Sequence, residues 1–259
     1  MQVSPNDTSP LPPTTVVGRG RVGNALGRAL GATLGDVAMA GRDEVDDACA
    51  DAEIVLLCVP DAEIGAACER VTAVAPMLRF LGHTSGATRL EVLAPAAERG
   101  IATFSLHPLQ TIPDLDADLT GAHAAIAGSD STALALAREL AESCQMSPFE
   151  VPEEARAAYH AAASIASNFL VTLEAGAEDL LAAAGIEDGR QLLAPLVLRT
   201  AANWAEHGPA ALTGPIARGD EKTVQRQLDA IEEVAPELAD TYRALAERTR
   251  AVAATGDRR

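Results

Sequence analysis

A chain of 259 residues, 48% of them apolar, can bury one large core or two modest ones. Its formal charge of −17 excludes a nucleic-acid binder, which needs a basic face, and argues against docking on anionic membranes. Any anionic ligand must therefore be met by arginines placed locally.

Residues 1–13, with Ser, Asn, Asp and four prolines, read as a disordered lead-in that lacks the apolar core of a signal peptide. No later apolar run reaches the length of a membrane span. The first strand, 14–18, stops at a glycine. The turn Gly18-Arg19-Gly20-Arg21-Val22-Gly23 then leads into an apolar-periodic helix at 22–33. Strand, GxGxxG turn and helix in this order predict a cradle for a dinucleotide pyrophosphate. Gly18 permits the turn, Gly20 lets the backbone approach the phosphates, and Gly23 lets the helix sit close to the strand. The first N–H groups of that helix face the anion.

The second strand, 36–40, ends in Gly41-Arg42-Asp43. An acidic residue here holds the ribose hydroxyls of NAD, whereas an arginine accommodates the 2′-phosphate of NADP. Arg42 is placed for the phosphate, with Arg19 and Arg21 adding charge, so NADPH is expected; Asp43 keeps the ribose alternative open. A third strand at 53–59 runs into Val59-Pro60-Asp61. Pro60 bends the backbone across the nicotinamide ribose, and Asp61 reads as the N-cap of a helix at 62–73.

Strands at 78–82 and 101–105 flank a helix at 88–99 and end in Gly82-His83-Thr84-Ser85-Gly86 and Ser105-Leu106-His107-Pro108-Leu109-Gln110-Thr111. Both ends should emerge on the same sheet edge as the glycine turn, where ligands bind in such folds. Hydride delivery to a carbonyl or imine leaves charge on the heteroatom, which a histidine titrating near neutrality can quench. His107, stiffened by Pro108, is the first candidate for that acid; His83 is the second, and Ser85 could hold the same substrate oxygen. Strands near 122–127 and 147–151 around a helix at 130–143 complete an α/β domain over 14–151. Its expected form is a Rossmann-type doubly wound parallel sheet covered on both faces.

Past Pro148 and Pro152 glycine and proline thin out, and the period becomes helical. The expectation for 152–259 is a smaller all-α domain. Its helices fall at 153–184, 187–207, 220–233 and 236–254. In the first, Ala158, Ala161, Ala162, Ile165, Phe169, Leu173 and Leu180 form a wide apolar face. An alanine-rich helical domain cannot easily bury such faces alone, which predicts a homodimer through it. Ser164 and Asn168 stand one turn apart, Asn168 suited to a nicotinamide amide or a substrate oxygen. Arg218 is suited to grip a substrate carboxylate in bidentate fashion, and Asp220 to cap the helix after it.

Cys49, Cys58, Cys68 and Cys144 show neither CxxC pairing nor histidines at zinc spacing. They read as free thiols of a reducing cytoplasm, with no metal site expected. Lys222 is the only lysine, and Tyr159 has no lysine four residues on. Tyr-x-x-x-Lys chemistry is therefore absent, and so is a catalytic lysine early in the second domain.

The pieces GRGRVGNALGRAL, VPD, HTSGA, SLHPLQT, YHAAASIASN and ALTGPIARGD together resemble two-domain proteins with a Rossmann-like domain and a C-terminal helical domain of unknown function. Wider kin are the 6-phosphogluconate dehydrogenase-like reductases, among them ketopantoate and pyrroline-5-carboxylate reductases. The resemblance implies an NADPH-dependent oxidoreductase acting on a small anionic substrate, a 2-oxo or imino carboxylate, with ketopantoate as the best single guess. SLHPLQT resembles the His-Pro segment of prephenate dehydrogenases, which implies a catalytic His107, and HTSGA resembles their serine-bearing strand end at Ser85. Ser164 stands where hydroxyacid dehydrogenases carry a lysine, while Asn168 remains, so a lysine acid is unavailable. The same fold also suits an NADP–deazaflavin oxidoreductase or a non-catalytic, dinucleotide-binding regulatory protein.

Overall fold

The computed structural model describes residues 11–256. Residues 1–10 of the expected lead-in lie outside them. Two compact units divide the chain, Met1–Ile165 and Ala166–Arg259.

The first unit is a seven-stranded sheet. Its strands are β1 (Thr14–Val17), β2 (Val37–Ala40), β3 (Ile54–Leu57), β4 (Phe80–His83), β5 (Ala102–Leu109), β6 (His123–Gly128) and β7 (Ser147–Glu150). Their spatial order is β2-β1-β3-β4-β5-β6-β7. The reversal of order beside β1 is a switch point, the usual place for a ligand crevice in such sheets. The helices between strands are α1 (Arg21–Leu34), α2 (Val45–Cys49), α3 (Ile64–Val74), α4 (Ala94–Ala97) and α5 (Ser131–Ser143).

The period of two sorts the strands' side chains onto two faces. Val16, Ile54, Leu56, Phe104 and Leu106 pack with Leu26, Leu30 and Leu136 on one side. Val17, Val55, Leu57 and Leu81 pack with Ile64, Val71 and Leu93 on the other. Both faces are covered, which explains why β3 reads as a continuous apolar run.

Two features depart from the sequence reading. β6 runs antiparallel to β5, whereas every other neighbouring pair is parallel. The link 110–122 holds no helix, and a parallel return needs a crossover of that kind. β5 is also longer than 101–105, because β6 goes on pairing with Phe104–Leu109 after β4 has ended at His83. His107 therefore stands on a strand rather than in a loop.

The helix expected over 153–184 is interrupted. A 3-10 turn at Glu153–Ala155 precedes α6 (Arg156–Ala166), and α7 (Asn168–Ala183) starts after Ser167. At φ −119° and ψ −68°, Ser167 departs from regular helix geometry while staying in the right-handed region. The second unit comprises α7, α8 (Gly189–His207), α9 (Glu221–Val234) and α10 (Ala239–Gly256). Asp220 caps α9, its carboxylate accepting the Thr223 N–H, as its position suggested. Among the described residues no helix is long and apolar enough to cross a membrane.

Candidate active site

The glycine turn is built as its spacing implies. Gly18 has φ +115°, and a side chain there would collide with the Cys58 carbonyl on the strand beside it. A Cβ on Gly23 would strike the Gly18 carbonyl, so only glycine lets α1 start this close to the strand. Gly20, between them, has open space where its Cβ would be, and it occupies the N-cap position of α1 without a side-chain cap. The first N–H groups of α1 are thus left without a side-chain partner from their own cap, which is the arrangement that receives an anion.

Beside this turn lies a cleft of about 570 Å³ lined by Gly18, Arg19, Gly20, Arg42, Val59 and Pro60. Arg70 of α3 lines it too and was missed in the sequence, where it is one charge on a helix. Each arginine stands beside a carboxylate at the rim. Arg19 pairs with Glu44 at 2.7 Å, Arg42 with Glu63 at 2.8 Å, and Arg70 with Asp46 at 2.7 Å. These pairs are exposed and worth little to stability. Glu44, rather than Asp43, accepts the Gly41 N–H at the end of β2. Arg21 points elsewhere, its guanidinium donating to the Pro113 carbonyl at 3.3 Å. Val22 packs against the core of the sheet.

The second cluster gathers at the carboxyl ends of β4 and β5. The Ser85 hydroxyl donates to Asp61 at 2.8 Å, and Thr88 Oγ1 lies 3.3 Å from the same carboxylate oxygen. Asp61 is therefore not the N-cap expected from its sequence position: it opens a 3-10 turn, Asp61–Glu63, that leads into α3, whose N-cap is Glu63, and the Asp61 carboxylate crosses to the β4 loop. His83 is fully buried, its Nδ1 accepting the Ser85 N–H at 3.2 Å and its Nε2 without a hydrogen-bond partner among the described residues. Burial, aided by the Arg156 charge, lowers its pKa to about 4.

Arg156, the first residue of α6, is the residue that the sequence concealed. Only 1% exposed, it donates to the Ser105 hydroxyl at 2.8 Å and to the Ser85 carbonyl at 2.7 Å, with Glu153 at 3.4 Å. It ties the β4 loop to β5 and leaves a positive charge beneath the cluster. His107 Nδ1 meets the Tyr159 hydroxyl at 2.7 Å, and its ring stands edge-on to that of His160. A Cβ on Gly86 would come within 2.7 Å of His160 Nδ1 and 2.9 Å of His107 Nε2, so glycine keeps open the space that both rings face. Burial first, then His160 and Arg156, lower the His107 pKa to about 4. At neutral pH it is a neutral imidazole that can offer an N–H but not an imidazolium, which corrects the picture of an acid titrating near 7.

The remaining candidates are placed differently. Ser164 is half-buried on α6. Asn168 is exposed on the first turn of α7, and Arg218 is exposed with no ion-pair partner among the described residues. All four cysteines are free; Cys58 is half-buried, and desolvation pushes its thiol up to about 12.

Residues 34–108 match a model of Rossmann-like domains, and residues 122–249 match the domain of unknown function DUF2520. No curated protein matches the sequence. A candidate NADP oxidoreductase from Bacteroides fragilis has a similar structure with 19% identity and a TM-score of 0.78, over 93% of this chain and 98% of its own. A protein from Thermotoga maritima is similar at 23% identity and 0.74, over 95% and 100%. The pyrroline carboxylate reductase of Plasmodium falciparum, with NADP bound, is similar at 14% and 0.60, over 94% and 99%. At these identities the likeness establishes the fold. The chain thus carries a segment similar to Rossmann-like domains followed by one similar to DUF2520.

Proposed function

We propose that this chain is an NADPH-dependent oxidoreductase that reduces a small 2-oxo or imino carboxylate. One observation carries the reading: Gly18 in a positive-φ turn, Gly20 open and Gly23 closed against the strand, at the edge of a cleft holding Arg19, Arg42 and Arg70. A pyrophosphate would lie over Gly20 and the first N–H groups of α1. Arg42 and Arg70, exchanging Glu63 and Asp46 for a dianion, would hold a 2′-phosphate. Val59 and Pro60 line the same cleft. Bound NADPH supplies a hydride. His107 gives the substrate heteroatom a proton from its imidazole N–H, and Ser85, oriented by Asp61, holds the β4 loop around it. His83 supports that loop from below. We assign the substrate's carboxylate to Arg218 and a substrate oxygen to Asn168, with Ser164 as a further substrate contact four residues earlier, on α6. Pyrroline carboxylate reductase, imine reductase and reductive aminase among the structural neighbours are consistent with a carbonyl or imine substrate.

We also infer a homodimer through the helical unit, whose Phe169 is 56%, Leu198 71% and Trp204 65% exposed. Free thiols suit a reducing cytoplasm. Calorimetric titration should give saturable heat with NADPH and weaker heat with NADH. Oxidation of NADPH should then follow addition of one member of a 2-oxo acid panel led by ketopantoate. No heat with either nucleotide overturns the reading; binding without NADPH oxidation in the presence of any substrate leaves a non-catalytic dinucleotide sensor.

A further inference from the structure

The Tyr159 hydroxyl lies 2.7 Å from His107 Nδ1 and has no second hydrogen-bond partner among the described residues. The two rings meet edge-on, with centroids 5.6 Å apart. His107 Nε2 is turned to the space over Gly86, which the buried and unpartnered His160 Nδ1 also faces. Both partners of the 2.7 Å contact can donate, so its polarity decides what His107 offers there. If Nδ1 donated, the Tyr159 proton would lack an acceptor and a bare Nε2 lone pair would face that space. If Tyr159 donates, its proton has an acceptor and Nε2 presents an N–H to that space.

We propose that Tyr159 is the positioning residue of this site: its hydroxyl donates to Nδ1, fixes His107 as the Nε2–H tautomer, and replaces the proton that His107 gives up. The inference rests on the reductase reading for its last clause only. As a substrate heteroatom gains charge, Nε2 releases its proton to it and Nδ1 takes the hydroxyl proton of Tyr159; once the product has left, Nε2 takes a proton from water while Nδ1 returns its own to the tyrosinate. One proton enters the chain for each that leaves, and His107 stays neutral throughout. Burial supports this division of labour. It holds Tyr159 up to about 12, protonated at rest, while the nearby Arg156 charge favours the transient phenolate. An imidazolium is scarce at neutral pH, so the neutral ring needs a proton source behind it.

The first measurement needs neither substrate nor cofactor. Long-range ¹H–¹⁵N spectra of labelled protein at pH 7, with His107 assigned through His107→Gln, should show Nε2 protonated and Nδ1 bare. In Tyr159→Phe, which keeps the ring, His107 should shift toward a mixture of tautomers. Protonated Nδ1 in the wild type, or an unchanged tautomer in Tyr159→Phe, overturns the proposal. With an active substrate, Tyr159→Phe should lower kcat roughly 100-fold at pH 7, leave NADPH affinity unchanged, and regain activity as pH falls toward 5. A pH profile parallel to the wild type would refute the relay. If the wild type oxidises NADPH with none of the substrates tried, the reductase reading fails while the tautomer result still decides the role of Tyr159 at the ring.

Discussion

The two units treat their apolar side chains in opposite ways. In the first, strands and helices close over Val16, Leu26, Leu56, Phe104 and Ile126, and the large apolar side chains left exposed, Met77, Leu109, Leu115 and Ile165, are scattered along the chain. In the second, the small core of Val224, Ile231, Ala235, Ala239 and Ala246 coexists with exposed Phe169, Val171, Leu192, Leu196, Leu198 and Trp204. A sheet offers two faces that neighbouring helices of the same chain can cover. Alanine-rich helices offer little volume to one another, and their larger side chains are left for another surface. On the reading proposed above, the first unit serves the ligand and the second a second copy of the chain.

The sharpest way to break the first half of that contrast is Gly23→Ala. The methyl would meet the Gly18 carbonyl, which is backbone and cannot move aside cheaply. We expect a loss of about 3 kcal/mol in urea unfolding, together with loss of nucleotide binding. A variant as stable as the wild type would show that α1 can slide away from the strand.

Acid probes the polar cluster inside the same unit. His83 has its pKa lowered to about 4 in the folded chain, against 6.5 when unfolded, so the unfolded state binds the extra proton between those values. Stability should be full above pH 6.5 and fall as pH drops towards 4. The share of His83 is about 3 kcal/mol at most. The decline should be shallower in His83→Gln, and a flat profile would mean that the ring is solvated.

Leu196→Glu tests the second unit. On a free surface the change should cost under about 0.5 kcal/mol. In a dimer interface it should weaken self-association by about 2 kcal/mol or more with little effect on monomer folding. Sedimentation across a concentration series separates the two, and a wild-type monomer at every concentration would remove the proposed dimer.

The smallest effect sharpens the ligand assignment. Arg42→Ala should weaken NADPH binding by about 1.5 kcal/mol, roughly tenfold, and leave NADH unchanged. Equal losses for both nucleotides would place Arg42 away from the 2′-phosphate.

Legibility in the sequence followed the distance between the groups concerned. Gly18, Gly20 and Gly23 lie within six residues, and their backbone roles could be read off before any fold was known. The apolar run of β3 likewise announced a strand buried on both faces. His107 and Ser85 could be nominated as strand-end residues, but their partners could not. Asp61 to Ser85 spans 24 residues, Arg156 to Ser105 spans 51, and His107 to Tyr159 spans 52. Asp61 was read as a helix cap because local spacing cannot distinguish a carboxylate that turns back on its own helix from one that crosses to a neighbouring loop.

Local patterning thus determined the strand–turn–helix cradle, the α/β character of the first half and the helical character of the second. These depend on φ, on the period of side chains and on hydrogen bonds between near neighbours. Tertiary structure alone decided the antiparallel β6, the break at Ser167, Arg70 in the cleft, and the charge of Arg156 under a neutral His107. Each of these depends on which distant segments meet, and a buried charge takes its pairing and its effect on a neighbour's proton from that meeting.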